Sequence, residues 1–306
     1  MYYHYSAEFS CRFILISHSV DQHFRFASYQ TPIFMLNCYN ISAYKFVRLD
    51  SLPIWQADLL AELCPTGIRG TIVLADEGIN VTLAGSQDAI SSARRWFASR
   101  APFDDLWFKQ SVSSFVPFSK FKVKIRHEII AFDGGRTRPD DHPAPNLSPA
   151  ELNRWLDQGR DFTLLDARNG YEVESGTFAR AQSLTIDTFR EFPEAVNASE
   201  LDRDKPIVTF CTGGIRCEKA APWLSDAGFK EVYQVEGGIL NYFSECGGTH
   251  WHGDCFVFDD RVEIDPSLTE TGAVLCTNCH WAVSVRGQQE ARYEAGVSCP
   301  ACYADD

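Results

Sequence analysis

The sequence predicts a multidomain chain of mixed α/β and α+β class, and three observations predict it. At 306 residues it is long enough for two or three separate cores. Strand and helix patterns alternate in two blocks, divided by a Gly- and Pro-rich stretch. The C-terminal stretch from 246 to 306 carries two close cysteine pairs. A composition of 45% hydrophobic and 23% charged residues is that of a folded globular protein. No apolar run approaches the roughly 20 residues that span a bilayer, so no membrane partner is expected.

Residues 1–32 form an extension of unknown role. Its patchy apolar stretch, Phe13 to Ile16, lacks a basic start and a small-residue cleavage site, so neither a signal nor a transit peptide is expected. In residues 33–132, Ile33 to Tyr39 reads as a strand. Leu52 to Leu63 reads as a helix carrying Trp55, Leu59, Leu60 and Leu63. Ile68 to Ala75 and Ile79 to Ala84 form a hairpin across Asp76-Glu77-Gly78. Ser86 is placed to cap a helix with Ile90, Ala93, Trp96 and Phe97 inward, and Leu106 to Phe108 opens another strand. The order βαββαβ is that of a ferredoxin-like (acylphosphatase-like) sandwich. Many RNA-binding domains share this topology, but Ile79 to Leu83 lacks the aromatic pair that stacks bases in the RNA-recognition motif. Residues 133–147 read as a linker. Ser148 and Glu151 have capping-box spacing and open a helix through Leu152, Trp155 and Leu156. From there to 245 the alternation predicts an α/β domain with a mainly parallel sheet.

Within that domain Lys205 to Phe210 reads as a short buried strand. Cys217 to Ala227 places Ala220, Ala221 and Leu224 on one helical face. Cys211 therefore stands at a strand-to-helix switch, at a strand's carboxyl end where open α/β sheets place their sites. In the run Cys211-Thr212-Gly213-Gly214-Ile215-Arg216, loop amides and the helix dipole favour a thiolate. Gly213 and Gly214 let the backbone turn its N–H groups inward, and Arg216 adds a fixed positive charge. A plain buried cysteine beside a turn is the alternative. Tyrosine phosphatases place five residues between such a cysteine and arginine. Here there are four, a smaller ring better suited to sulfane sulfur, as a Cys211 persulfide, than to phosphate. The loop resembles that of rhodaneses. Leu164 to Arg168, with Asp166 and Arg168 in supporting positions, then Tyr171-Glu172, Gly176 and Phe178, and the turn Glu236-Gly237-Gly238 after Val232 to Val235, are similar to the rhodanese pattern. Cys217 reads as either a resolving thiol or a helix cysteine packed inward.

The formal net charge of −13 opposes nonspecific attraction to nucleic acid, so an RNA partner requires a local basic patch. One exists. From Lys109 to Arg126 there are five basic residues and no acidic one, and Lys120, Lys122, Lys124 and Arg126 fall on one face of a strand. They read as a tRNA-binding face or as charges that keep an edge soluble. Eleven cysteines without an export signal point to a reducing, cytoplasmic setting in which cysteines serve metal binding or catalysis. Cys276-x-x-Cys279 and Cys299-x-x-Cys302, nineteen residues apart, have the spacing of a zinc ribbon, whose closed four-thiolate site would be structural. Cys246, His250, His252 and Cys255 match no metal spacing and read as ordinary packing. There is no Gly-x-Gly-x-x-Gly fingerprint for a flavin or nicotinamide, and no two-histidine, one-carboxylate iron site is recognisable.

Several long motifs stand in order: Ala75-Asp76-Glu77-Gly78-Ile79-Asn80; Lys122 to Arg126 with Glu128-Ile129; the loop continuing as Cys217-Glu218-Lys219-Ala220; and Cys255-Phe256-Val257-Phe258-Asp259. Over about residues 33–303 the chain resembles the rhodanese-domain tRNA uridine hydroxylases. That resemblance implies oxygen-dependent conversion of uridine at tRNA wobble position 34 to 5-hydroxyuridine. Cys211 would be the essential residue, dioxygen a co-substrate, the tRNA anticodon region the partner, and the electron donor a molecule the sequence does not identify. A thiolate or persulfide at Cys211 that adds to C6 of uracil would make C5 an enolate able to trap oxygen, with loop amides and Arg216 stabilising the anion. A rhodanese-type sulfurtransferase and a non-catalytic RNA-binding protein are the competing expectations.

Overall fold

The computed structural model describes residues 9–10, 37–139 and 143–303. Apart from the strand β1 (Phe9–Ser10), the extension and the expected strand start at Ile33 lie outside the described residues. The N-terminal domain runs β2 (Cys38–Phe46), α1 (Leu52–Leu63), β3 (Arg69–Ala75), β4 (Gly78–Gly85), α2 (Gln87–Ala98), β5 (Lys109–Ser113) and β6 (Phe121–Ile125). The first full strand thus lies further along the chain than Ile33 to Tyr39. Its buried alternation is carried by Ile41 and Ala43. The strand expected at Leu106 to Phe108 starts at Lys109 instead, because Leu106 donates its amide to the Phe103 carbonyl in a turn, at 3.0 Å. Strand order is β1-β6-β3-β4-β2-β5, the ferredoxin-like arrangement extended at one edge by β6, which runs parallel to β3.

Period-two alternation gives this sheet two different faces. Ile41, Ile72, Leu74, Val81, Leu83, Phe121 and Val123 are buried in the core shared with Leu59 of α1 and Phe97 of α2. Ser86 caps α2 as the sequence predicts, accepting the Ala89 amide at 3.2 Å. The other face carries Ser42, Tyr44, Thr71, Asn80, Thr82, Lys109, Lys122 and Lys124 and lies opposite α1 and α2, the helices of its own domain. It faces the second domain and forms one wall of the site.

The second domain contains β7 (Asn146–Leu147), α3 (Pro149–Asp157), β8 (Thr163–Asp166), α4 (Gly170–Ser175), β9 (Gly176–Phe178), β10 (Ala181–Ser183), α5 (Phe192–Ala198), β11 (Ile207–Phe210), α6 (Ile215–Asp226), β12 (Val232–Val235) and α7 (Gly238–Cys246). Its main sheet, β10-β8-β11-β12-β7, is parallel throughout. β8 and β11 are buried on both faces, as central parallel strands must be. Leu152, Trp155, Ile239 and Tyr242 cover one side, and Phe192, Val196, Ala220 and Leu224 the other. Each fully buried side chain of leucine, isoleucine, valine or phenylalanine size contributes about 1.5–3 kcal/mol. Ser148 caps α3 by accepting the Glu151 amide at 3.2 Å, while Glu151 turns to Trp155 and Arg154.

The C-terminal segment adds β13 (Trp251–Gly253), paired with β9, and two small hairpins: β14 (Cys255–Phe256) with β15 (Glu263–Ile264), and β16 (Val274–Leu275) with β17 (Ala282–Val283). Among the described residues no helix is long and apolar enough to cross a membrane.

Candidate active site

The site is built where β11 ends. Cys211 is fully buried, and its Sγ accepts the Gly214 amide at 3.2 Å. Gly214 takes a φ of 96°, and a β-carbon there would stand 2.7 Å from the Tyr44 hydroxyl, so only glycine fits. Behind the loop, Ile239 and Leu240 at the start of α7 donate their amides to the carbonyls of Cys211 and Thr212, at 2.9 and 3.0 Å. Those carbonyls are thereby engaged by α7. Gly238, with a φ of 67°, permits this contact, since a β-carbon there would meet the Cys211 oxygen at 2.3 Å.

Burial pushes the Cys211 thiol up. The hydrogen bond from the Cys217 thiol, the charge of Arg216 and the amides of Cys217 and Arg216 outweigh that and bring it down to about 6. Cys217 shows the opposite consequence: burial first, and then the adjacent Cys211 sulfur, raise it well above the ordinary thiol range. The two thiols are thereby set apart, Cys211 the more acidic and Cys217 the less. Cys217 is packed inward on α6, in the same buried core as Cys211.

Arg216 is nearly buried, and both of its terminal nitrogens are bound by Glu172, at 2.5 and 2.7 Å. Glu172 is itself fully buried. Burial opposes its charge, but Arg216 holds its carboxyl below the usual range. Thr212 lies between them, with its hydroxyl 3.3 Å from Glu172 and 3.4 Å from Arg216. Gly213 and Ile215 complete the lining. Asp166 and Arg168 sit below the loop as a buried bidentate pair. Arg168 also binds the carbonyls of Glu172 and Gly176, so it anchors α4, the helix that presents Glu172.

Above Cys211 opens a cavity of about 1000 Å³, walled by both domains and the C-terminal segment. From the N-terminal sheet come Tyr44, Trp107 and Lys109, and from the C-terminal segment Phe258. Tyr44 donates its hydroxyl to Glu218 of α6 at 3.0 Å. The Lys109 ammonium lies 5.0 Å from the Tyr44 ring and 4.9 Å from the Trp107 ring. Burial lowers Lys109 to about 8, against the opposing pull of Cys211 and Glu218.

Two family models match this chain: the UPF0176 acylphosphatase-like domain over residues 38–129 and the rhodanese-like domain over residues 148–245. A protein of Cupriavidus taiwanensis named tRNA uridine(34) hydroxylase is 46% identical over 269 residues, covering 86% of this chain and 95% of its own. One of Burkholderia mallei with the same name is 45% identical over 278 residues, covering 87% of this chain and 93% of its own. The chain belongs to the tRNA uridine(34) hydroxylase family.

In this member of the family, the basic residues Lys120, Lys122, Lys124 and Arg126 do not line the cavity. Strand register nonetheless connects two of them to it. Lys122 stands opposite Thr71, Thr71 opposite Thr82, Thr82 opposite Ser42, and Ser42 opposite Lys109. That row crosses the sheet face opposite α1 and α2 in four strand spacings, roughly 19 Å. Lys124, Val73, Asn80 and Tyr44 form the next row. Lys120 and Arg126 flank β6 on the exposed side.

The four C-terminal cysteines do converge. Sγ separations are 3.7 Å for Cys276 and Cys302, 3.5 Å for Cys279 and Cys299, and 3.6 Å for Cys299 and Cys302, and all four lie within 4.8 Å of one another. A tetrahedral thiolate site with bonds of about 2.3 Å has edges of about 3.8 Å, so this cluster has the size to hold one metal ion. Cys246, His250, His252 and Cys255 form no such group among the described residues.

Sequence reasoning does not single out Tyr44, Trp107 or Phe258 as site residues, and names Lys109 only as the first member of the basic stretch. Register alone brings Tyr44 and Lys109 to the loop. The usable signal is alternation on β2, which puts Ser42 and Tyr44 on the face opposite Ile41 and Ala43.

Proposed function

We propose that the chain hydroxylates uridine at tRNA wobble position 34 to 5-hydroxyuridine, with dioxygen as co-substrate and Cys211 as the nucleophile. The observation that carries this reading is a cysteine held by a loop amide in the lining of a cavity that the N-terminal sheet helps to build. A small sulfur acceptor would need no second domain over the loop. A flipped-out nucleotide would, because a base must leave its stack to reach a recessed nucleophile.

The Cys211 sulfur adds to C6 of uracil, and the C5–C6 π pair moves towards C5 and O4 as an enolate. Dioxygen then adds at C5. A two-electron donor reduces the resulting hydroperoxide to a hydroxyl and one water. Loss of the C5 proton expels the Cys211 thiolate and restores the double bond, leaving 5-hydroxyuridine. Arg216, neutralised by Glu172, serves by keeping Cys211 ionised and α6 in place. Asp166, Arg168 and Cys217 support that arrangement from below. Lys120, Lys122, Lys124 and Arg126 would guide the anticodon arm from the β6 edge of the sheet, a local attraction within an acidic protein. Cys276, Cys279, Cys299 and Cys302 would hold a zinc ion as a closed structural crosslink in a segment too small for a core of its own. A tRNA substrate and a zinc-thiolate site both accord with a cytoplasmic protein.

Mass spectrometry of tRNA nucleosides tests this reading. Cells whose only copy carries Cys211→Ser should lose 5-hydroxyuridine while keeping thiolated nucleosides. Loss of a thiolated nucleoside with 5-hydroxyuridine intact would instead favour sulfur transfer.

A further inference from the structure

Adding a sulfur to C6 places negative charge on uracil O4, and a buried cavity must supply a cation or donors for it. Arg216 is less suited to do so, since the bidentate Glu172 contact takes one N–H from each of its terminal nitrogens and neutralises its charge. Asp259 likewise engages Arg261, and Glu245 receives the Asn241 amide. Arg190, the remaining cation of the lining, is exposed at the rim.

Lys109 is different. Its Cε stands 3.8 Å from where a Gly213 β-carbon would be, so the ammonium overhangs the reactive loop. Trp107 and Tyr44 wall it with their rings, and Glu218, the acidic group of α6 that faces it, accepts the Tyr44 hydroxyl. Among the described residues no carboxylate lies within ion-pair distance of Lys109. An ammonium held by aromatic faces above a thiolate is a cation kept for something that enters between them.

We infer that Lys109 is a second catalytic residue, whose ammonium binds uracil O4 and stabilises the enolate formed when Cys211 adds to C6. This rests on the hydroxylase reading above. In the step the Sγ lone pair forms the S–C6 bond, the π pair moves to C5 and O4, and Lys109 donates a hydrogen bond to O4 without any change in oxidation state. Trp107, exposed at the mouth beside Lys109, offers the ring on which the base stacks.

The consequence is a bell-shaped pH profile of kcat/KM. It rises as Cys211 ionises near 6 and falls as Lys109 loses its proton near 8. The groups facing Lys109 are Cys211, Tyr44 and Glu218, and the other charged groups of the cavity are Arg190, Arg216, Glu245, Asp259 and Arg261.

The test uses the full chain, unmodified tRNA, dioxygen and a chemical two-electron donor, with 5-hydroxyuridine as the readout. Lys109→Met should lower kcat about 100-fold, the scale of losing one donor to a developing oxyanion, with KM for tRNA little changed and the alkaline limb gone. Lys109→Arg should recover much of the rate and move the alkaline limb out of range. Unchanged kcat and an unchanged alkaline limb in Lys109→Met would overturn the proposal, as would a loss seen in Arg190→Met instead. Failure of the unsubstituted protein to form 5-hydroxyuridine would overturn the hydroxylase reading, and this proposal with it. Those two failures are read from different proteins in the same assay.

Discussion

Cys211 and Cys217 are two buried thiols of one core, and their environments push them in opposite directions. The difference is geometric: Cys211 receives the amides and the cation, while Cys217 gives its hydrogen bond away. Alkylation of Cys211 by iodoacetamide should therefore accelerate as pH rises through about 6, where its thiolate forms, and Cys217→Ala should move that midpoint upward by removing a donor. A midpoint near the ordinary thiol value of about 8.5 would contradict this account of the loop. The cysteine loop is legible in the sequence because its determinants are local: two glycines, an arginine and a helix start within six positions. Glu172 is visible there only as part of a motif. Its pairing with Arg216 spans 44 positions, and no local pattern announces such a contact.

At the scale of elements, helices are the easier half. α1 occupies Leu52 to Leu63 as expected, and α6 buries Ala220, Ala221 and Leu224. Strands whose faces differ sharply are also legible, as with Phe121 and Val123 against Lys122 and Lys124 on β6. β5 lies later than apolar patterning predicts because Lys109 to Ser113 is almost wholly polar, whereas the preceding Leu106 is apolar for the sake of the core. What periodicity does not supply is pairing. Only register shows that the β6 lysines share their face with Ser42, Asn80, Thr82 and the cavity wall. On this basis Lys122→Glu with Lys124→Glu should weaken tRNA binding while preserving the fold. The slope of log affinity against log salt should fall by about 2, roughly one unit for each phosphate that a lysine no longer neutralises. Unchanged affinity and slope would place the tRNA elsewhere.

For the whole molecule, the motifs that stand far apart in sequence meet between domains. Lys219 of α6 is fully buried and bridges Glu77 of the β3–β4 turn, at 2.9 Å, and Glu128 after β6, at 2.7 Å. Glu77 also accepts the Ile129 amide at 2.8 Å, and the neighbouring Glu218 receives Tyr44. From the C-terminal segment Arg261 reaches Ser111 on β5 at 2.8 Å. The charged positions of these motifs thus lock the N-terminal sheet over the thiolate loop, a role their spacing could not reveal. A cavity assembled from three segments is the physical basis for assigning this chain chemistry on a nucleotide rather than on free sulfur. Isotopic labelling tests that claim most directly: unmodified tRNA, the full chain and a two-electron donor under ¹⁸O-labelled dioxygen, read by mass spectrometry of the nucleosides. The account predicts 5-hydroxyuridine carrying one labelled oxygen, with none formed by Cys211→Ser. Product whose oxygen comes from water, or labelled product from the serine variant, would contradict it.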